Sequence, residues 1–157
     1  AVVVAEGRRS PAERSRLREE LERARLAELR EGVWLRPDNL DGSPTIDGEL
    51  QWFEVRPGPD ARQLAAALWD LSGWSERAES LFERMERSIE PLAADDHRWR
   101  ADGFVTSADV LRHFQADPLL PAELLPPAWP GEELRRTYDV FDQMYRACLR
   151  TWFRADP

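Results

Sequence analysis

The sequence contains no lysine, because all 22 of its basic residues are arginine. Schiff-base catalysis by a lysine amine and a lysine-containing P-loop are therefore excluded. The one cysteine, Cys148, excludes an internal disulfide and a zinc site built from several cysteines, and it fits a reducing cytoplasm. No apolar run approaches the roughly 20 residues of a membrane-spanning helix, so we expect a cytoplasmic protein with no membrane partner.

Motifs of common catalytic and cofactor sites are also missing. The sequence has no G-x-G-x-x-G, no Walker motif and no G-x-S-x-G nucleophile elbow. Its two histidines, His97 and His113, lack nearby residues with metal-ligand spacing, and a lone histidine is more often solvated or at the edge of a core. The sequence thus predicts a protein that is not an enzyme and that holds neither a metal nor a cofactor.

The chain of 157 residues is long enough for one ordinary domain or two small ones. Its hydrophobic fraction of 42% is typical of a folded protein. The net charge is −8, and it is unevenly placed: +2 over residues 1–36, −10 over residues 37–130 and zero over the rest. An acidic middle repels a phosphate backbone, so we expect weak DNA binding by this chain alone.

The first third of the chain alternates strand and helix patterns. Short β-branched or aromatic runs predict strands. Ser10, followed by proline and then Glu13, is typical of a capped helix start, and Gly32 sits where a C-cap glycine belongs. The predicted order is β-α-β-β, with a strand at 1–5, a helix from 10 to the cap at 32, and strands at 33–36 and 50–55.

The remainder of the chain predicts helices. Apolar residues recur at helical spacing over 64–71 and 74–92, a cap at Thr106 predicts another helix that ends at Asp117, and a last helix runs from 131 to 153. The apolar seam of that last helix is Leu134, Tyr138, Phe141, Tyr145, Cys148 and Trp152. We therefore predict an α+β fold in which a β-α-β-β unit (1–60) packs against an α-helical C-terminal domain (61–157).

One short segment combines cations with an aromatic ring. Arg98, Trp99 and Arg100 follow one another, and arginine forks suit phosphates while a tryptophan face suits a flat ring. The alternative is that these arginines pair with the acids on either side, Asp95, Asp96 and Asp102. Both interpretations stay open at the level of the sequence.

Several motifs resemble the PaaX family, bacterial repressors of phenylacetate catabolism. The C-terminal ones are residues 68–71 (LWDL) with the helix that follows, 117–121 (DPLLP), 124–126 (LLP) and 129–131 (WPG); the front ones are 17–21 (LREEL) and 32–37 (GVWLRP). The resemblance covers nearly the whole chain. It implies a ferredoxin-like front unit and a helical C-terminal domain.

The resemblance also implies a function. Family members bind operator DNA through an N-terminal winged helix, which is missing from this sequence, and an aryl-CoA thioester such as phenylacetyl-CoA relieves repression. This chain would then be the effector-sensing and dimerisation part of a homodimeric repressor. From the chemistry of an aryl-CoA we expect the effector site between the two domains, at Trp69, Arg98, Trp99, Arg100, Arg112 and His113.

Two other functions stay open. The ferredoxin-like unit also resembles small CRISPR-associated metal-dependent nucleases, which need a carboxylate at the end of the first strand. Glu6 is the candidate, and one carboxylate makes a poor metal site. The other alternative is a protein-interaction module that binds no small molecule.

Overall fold

The computed structural model describes residues 1–5, 10–41, 46, 50–56 and 58–155. The elements run in the order β1 (Val2–Ala5), α1 (Pro11–Arg23), β2 (Ala27–Arg30), β3 (Val33–Leu35), β4 (Leu50–Phe53), α2 (Ala61–Leu68), α3 (Leu71–Ala93), α4 (Arg100–Gln115) and α5 (Gly131–Ala155). Short 3₁₀ turns occur at His97–Trp99 and Ala122–Leu124. This arrangement confirms the predicted α+β class with a helical C-terminal part.

The chain forms two compact units. A front unit comprises Ala1–Leu71 with Pro118–Pro126, and a helical unit comprises Ser72–Asp117 with Pro127–Pro157. The predicted domain boundary at residue 60 stays a prediction. The proline-rich connector therefore contributes to both units, which a division of the sequence into two continuous pieces does not anticipate.

The front unit contains a four-stranded antiparallel sheet in the order β2-β3-β1-β4 among the described residues. This strand order is that of a ferredoxin-like sheet, although the described residues between β3 and β4 contain no helix. Val3 on the central strand faces Trp34 on one side and Trp52 on the other. The buried core beneath the sheet is Val3, Leu17, Leu21, Leu26 and Trp34.

Helix α1 begins as predicted. The Ser10 hydroxyl accepts from the Glu13 amide at 3.3 Å, and the Glu13 carboxylate accepts from the Ser10 amide at 2.7 Å. These two bonds form a complete capping box, with Pro11 at the first helical position. The start is predictable because it depends only on neighbours in the sequence.

The end of α1 is not where the sequence predicted it. The helix stops at Arg23, Arg25 takes a left-handed conformation (φ 67°), and the chain forms β2, which the sequence analysis did not predict. Leu26 and Ala27 turn inward there, so their burial outweighs the helix propensity of the run. Gly32 (φ 75°) serves the turn between β2 and β3 and does not cap a helix.

The helical unit has a core of its own. Buried side chains of α3, α4 and α5 form one cluster that includes Trp74, Met85, Val110, Phe141 and Cys148. Burial of Cys148 confirms its predicted role as a core residue. The predicted seam on α5 holds from Leu134 to Cys148, but Trp152 is 41% exposed and is not part of the core.

Helix α4 begins six residues before the predicted start at Thr106. Asp96 caps the preceding 3₁₀ turn through the Arg98 amide, and the helix continues from Arg100. Thr106 is buried within the helix, where its hydroxyl accepts from Arg84 at 3.3 Å. A threonine that looked like a cap in the sequence therefore anchors a side chain of α3.

Candidate functional site

The arginines at the start of α4 pair with the acids that precede them. The Arg98 guanidinium donates to both carboxylate oxygens of Asp96, at 2.7 to 3.2 Å. These bonds lower the pKa of Asp96 to about 2 and raise that of Arg98. Arg98 is exposed, so this ion pair is a surface feature of small energetic weight.

Arg100 lies among three partners. The neighbouring Cys148 thiol is the main cause of its raised pKa. It also donates to Asp95 at 3.3 Å, and its guanidinium lies 5.6 Å from the centre of the Trp152 ring. Burial raises the pKa of the Cys148 thiol, so this cysteine stays protonated and unreactive at neutral pH.

Trp99 lines a cavity of about 250 Å³ that lies between α3 and α4. We name it the α3–α4 cleft. Its other lining residues are Arg84, Arg87, Ser88, Asp102, Val105 and Thr106. The structure thus brings the predicted tryptophan together with two arginines of α3, which the sequence analysis did not select.

Arg84 is held firmly in the wall of this cleft. Its guanidinium donates to the Asp109 carboxylate at 2.7 Å and to the Thr106 hydroxyl at 3.3 Å. The second oxygen of Asp109 accepts from Arg112 at 3.1 Å. One carboxylate therefore bridges two guanidinium groups, which connects the predicted residue Arg112 to the cleft.

Arg87 lies one helical turn from Arg84 and has a different environment. Its Nε donates to the Glu83 carbonyl at 3.1 Å, and its guanidinium forms no ion pair within the described part of the chain. A positioned guanidinium without a carboxylate partner is available for an anionic ligand. The spacing of Arg84, Arg87 and Ser88 on one helix face was the available signal in the sequence.

His113 lies in the core of the helical unit. Its side chain is therefore not accessible to a ligand in the cleft. It is 6% exposed, its ring stacks on Trp74 at 4.1 Å, and Trp129 stacks on Trp74 at 4.4 Å. Its buried Nε2 has no hydrogen-bond partner among the described residues. Burial, followed by the nearby charge of Arg77, lowers the pKa of His113, so the ring is neutral at pH 7.

The tryptophan of the WPG motif completes this three-ring stack. A Cβ atom on Gly131 would lie 2.6 Å from Nε1 of Trp129, so only glycine lets the ring sit against the start of α5. Asp117, at the other end of the connector, is buried and accepts from Arg135 of α5. These contacts explain the motif as structural support for the helical unit.

The remaining predicted site residue, Trp69, follows α2 in the front unit and is half-buried. Its participation in an effector site stays a prediction. Glu6, the candidate carboxylate of the nuclease alternative, lies outside the described residues. Within the described ranges, no three histidine, cysteine or acidic side chains lie close enough to hold a metal ion.

None of the described helices has the length and apolar character needed to span a membrane. The α3–α4 cleft presents charged and aromatic groups together, as ligand sites do.

Comparison with known proteins identifies the class. The family model of the PaaX-like protein C-terminal domain matches residues 69–154, which is more than half of the chain. That range includes the α3–α4 cleft and the stacked rings. The chain therefore belongs to the PaaX-like family of transcriptional regulators.

One solved structure supports the same relationship over a longer range. An uncharacterized protein, Rv0674 from Mycobacterium tuberculosis, is similar to this chain with 37% identity and a TM-score of 0.77. The match covers 96% of this chain and 62% of that one, so the chain spans less than two thirds of that relative. A search of the curated proteins found no match.

Proposed function

We propose that this chain is the effector-sensing and dimerisation part of a PaaX-like transcriptional repressor in the cytoplasm. Operator DNA is contacted by an N-terminal winged helix that this sequence does not contain. The effector is an aryl-CoA thioester such as phenylacetyl-CoA, and the chain has no catalytic role. The observation that carries this proposal is the family match over residues 69–154, a range that contains the α3–α4 cleft.

Charge supports the division of labour between sensing and DNA binding. Residues 37–130 carry a charge of −10, which opposes contact with a phosphate backbone. The cleft departs locally from this balance because it has two arginines and one acid in its lining. Because Arg84 already pairs with Asp109, the cleft offers mainly the guanidinium of Arg87, which suits capture of a small anion better than capture of DNA.

For the effector contacts we propose the residues predicted from the sequence, Trp69, Arg98, Trp99, Arg100 and Arg112. His113, also predicted, is buried against Trp74 and would reach an effector only if the ring stack opened. Two of the proposed contacts have direct support in the geometry. Trp99 lines the cleft, and Arg112 shares the Asp109 carboxylate with the cleft residue Arg84. The charge pairs of Arg98 and Arg100 would have to be exchanged for contacts with the effector.

Exposed apolar side chains support a protein contact on α4. Phe104 is 64% exposed, and Leu111 lies seven residues further on the same helix face and is also exposed. Large apolar groups on one exposed face favour association. We propose that this face contributes to the homodimer, which light scattering at several protein concentrations tests; a monomer at all concentrations would contradict it.

The effector is tested by thermal unfolding of the full chain with a panel of acyl-CoAs, including phenylacetyl-CoA, and with free CoA as the control. A ligand at about 100 times its Kd stabilises the folded state by about 2.7 kcal/mol, so an aryl-CoA should raise Tm clearly. The double variant Arg98→Ala with Arg112→Ala should bind the acyl-CoA at least about tenfold more weakly. No Tm change with any acyl-CoA would contradict the proposed effector class.

A further inference from the structure

The α3–α4 cleft has the chemistry of a specific ligand site, and it is smaller than a complete coenzyme thioester needs. We propose that it binds a carboxylate or phosphate attached to a flat aromatic or heterocyclic ring. Arg87 contacts the anion and Trp99 contacts the ring. Binding of such a ligand does not depend on the proposed function. Only the role of the ligand as a regulatory effector rests on that proposal.

The anionic part of the ligand follows from the two arginines. Arg84 is neutralised and fixed by Asp109, so it forms the rigid wall of the cleft. The guanidinium of Arg87 has no ion pair in the described part of the chain, and Asp102 in the same lining does not approach it within 4.0 Å. A planar guanidinium fork matches the two oxygens of a carboxylate or phosphate.

The ring of the ligand follows from Trp99 and Val105. Both line the cleft, and Trp99 also packs on the hydrophobic core of the helical unit, which fixes its position. An indole face offers a stacking surface worth about 1–3 kcal/mol for a nucleic-acid base, and other flat rings stack in the same way. A ligand that carries an anion beside a ring uses Arg87 and Trp99 together.

The size of the cleft limits the ligand. A volume of about 250 Å³ is below the roughly 300–1,000 Å³ of sites for drug-sized molecules. It accommodates one ring with its acidic group, and a complete acyl-CoA would extend beyond it. If the effector is an acyl-CoA, the cleft holds one part of it; an aromatic acid or a nucleoside monophosphate would fill the cleft alone.

The test is calorimetric titration of the full chain with phenylacetate, with adenosine monophosphate and with inorganic phosphate. Saturable binding of either ring-bearing anion, tighter than that of inorganic phosphate, is expected. The two ring-bearing probes distinguish a carboxylate source from a phosphate source. Absence of saturable binding with both phenylacetate and adenosine monophosphate would overturn the proposal. If inorganic phosphate bound as tightly as adenosine monophosphate, the proposed contact between Trp99 and the ring would be excluded.

Three variants locate the site. Arg87→Gln should weaken binding of the ring-bearing anion at least about tenfold, and Arg87→Lys should weaken it less because the charge is kept. The matched control is Arg146→Gln, which removes an exposed arginine of α5 that pairs with Asp142. Equal affinities in parent and Arg87→Gln, or equal losses in Arg87→Gln and Arg146→Gln, would place the ligand elsewhere.

The ring contact is tested separately with Trp99→Leu, whose melting curve must first match that of the parent. This variant should lose affinity for the ring-bearing anion and keep its weak affinity for phosphate. If Trp99→Leu has a lower Tm than the parent, Trp99→Tyr replaces it. This variant keeps a ring and should bind the ligand within about threefold of the parent. Arg87→Gln tests the anion contact in either case. Binding of small anions without any response to acyl-CoA would refute the proposed effector and leave the cleft site intact.

Discussion

The two units bury their apolar residues in different ways. Among the described residues, the front unit encloses a core of five buried residues beneath its sheet, and its edge strand β4 leaves Trp52 and Phe53 exposed. The helical unit encloses a larger cluster, including Trp74 and Phe141, and also buries His113 and Asp117. Polar groups are expensive to bury unless they have a purpose or a partner. The larger apolar cluster among the described residues therefore lies in the helical unit, whereas both units bury polar groups, with Arg36 buried in the front unit.

The largest expected effect comes from removing the centre of that helical core. Phe141 is fully buried, so Phe141→Ala should lower the free energy of unfolding by roughly 3–5 kcal/mol. Chemical denaturation measures this change. Trp152→Ala on the same helix is the control, because Trp152 is exposed and its loss should cost less than about 1 kcal/mol. Similar losses in both variants would contradict the assignment of the core.

A methyl group added beside the stacked rings should have the next largest effect. Gly131→Ala places a Cβ against Trp129, so the ring must move off Trp74, at a cost of roughly 1–3 kcal/mol. The control in the front unit is Gly58→Ala, since no described residue lies within 4 Å of its added Cβ. Thermal unfolding compares them, and an unchanged Tm for Gly131→Ala would mean that the stack contributes little.

Acidification should reduce the stability of the helical unit through His113. Its pKa in the folded state is lowered by burial and by Arg77, with Asp117 opposing the shift, whereas the unfolded chain has the ordinary value of about 6.5. The unfolded chain is therefore protonated at a higher pH than the folded protein. The contribution of neutral His113 to the free energy of unfolding is fully present above about pH 6.5, and it is lost as the pH falls toward the lowered pKa of the folded state. Denaturation of parent and His113→Phe at pH 7.5 and 5.5 measures this contribution, which the variant should lose. An identical pH dependence in both would refute it.

The smallest expected signal is in DNA binding. Residues 37–130 are strongly acidic, and the described helices do not include a basic recognition helix. Gel shifts with duplex DNA at physiological salt should therefore show no sequence-specific complex with this chain. A specific complex would mean that one of the two units reads DNA directly, and the division between sensing and DNA binding would have to be abandoned.

Local rules predicted the fold where local interactions decide it. The capping box at Ser10 and the stop before Pro118 depend on neighbouring residues, and both are present. Strand β2 was missed because residues 24–30 have the composition of a helix, and the pairing with β3 that overrides this is not visible in the local pattern. The start of α4 was missed because Thr106 has the residue type of a cap but bonds Arg84 on another helix.

The candidate site was predicted only in part for a similar reason. Trp99 was selected because it lies between two arginines in the sequence, yet those arginines pair with Asp95 and Asp96. The cations that accompany Trp99 in the cleft come from α3, and only helix packing brings them there. His113 was predicted as a solvated or core-edge residue, and its stacking with Trp74 follows from the meeting of two helices.

Hydrogen exchange of the full chain, with and without phenylacetyl-CoA, compares the two units most directly. We predict slower exchange in the helical unit, over residues 84–88 of α3 and over residues 99–106 at the start of α4, while the strands of the front unit exchange as before. Protection confined to the front unit, or no change anywhere at a saturating concentration of the ligand, would contradict the proposal that the helical unit senses the effector.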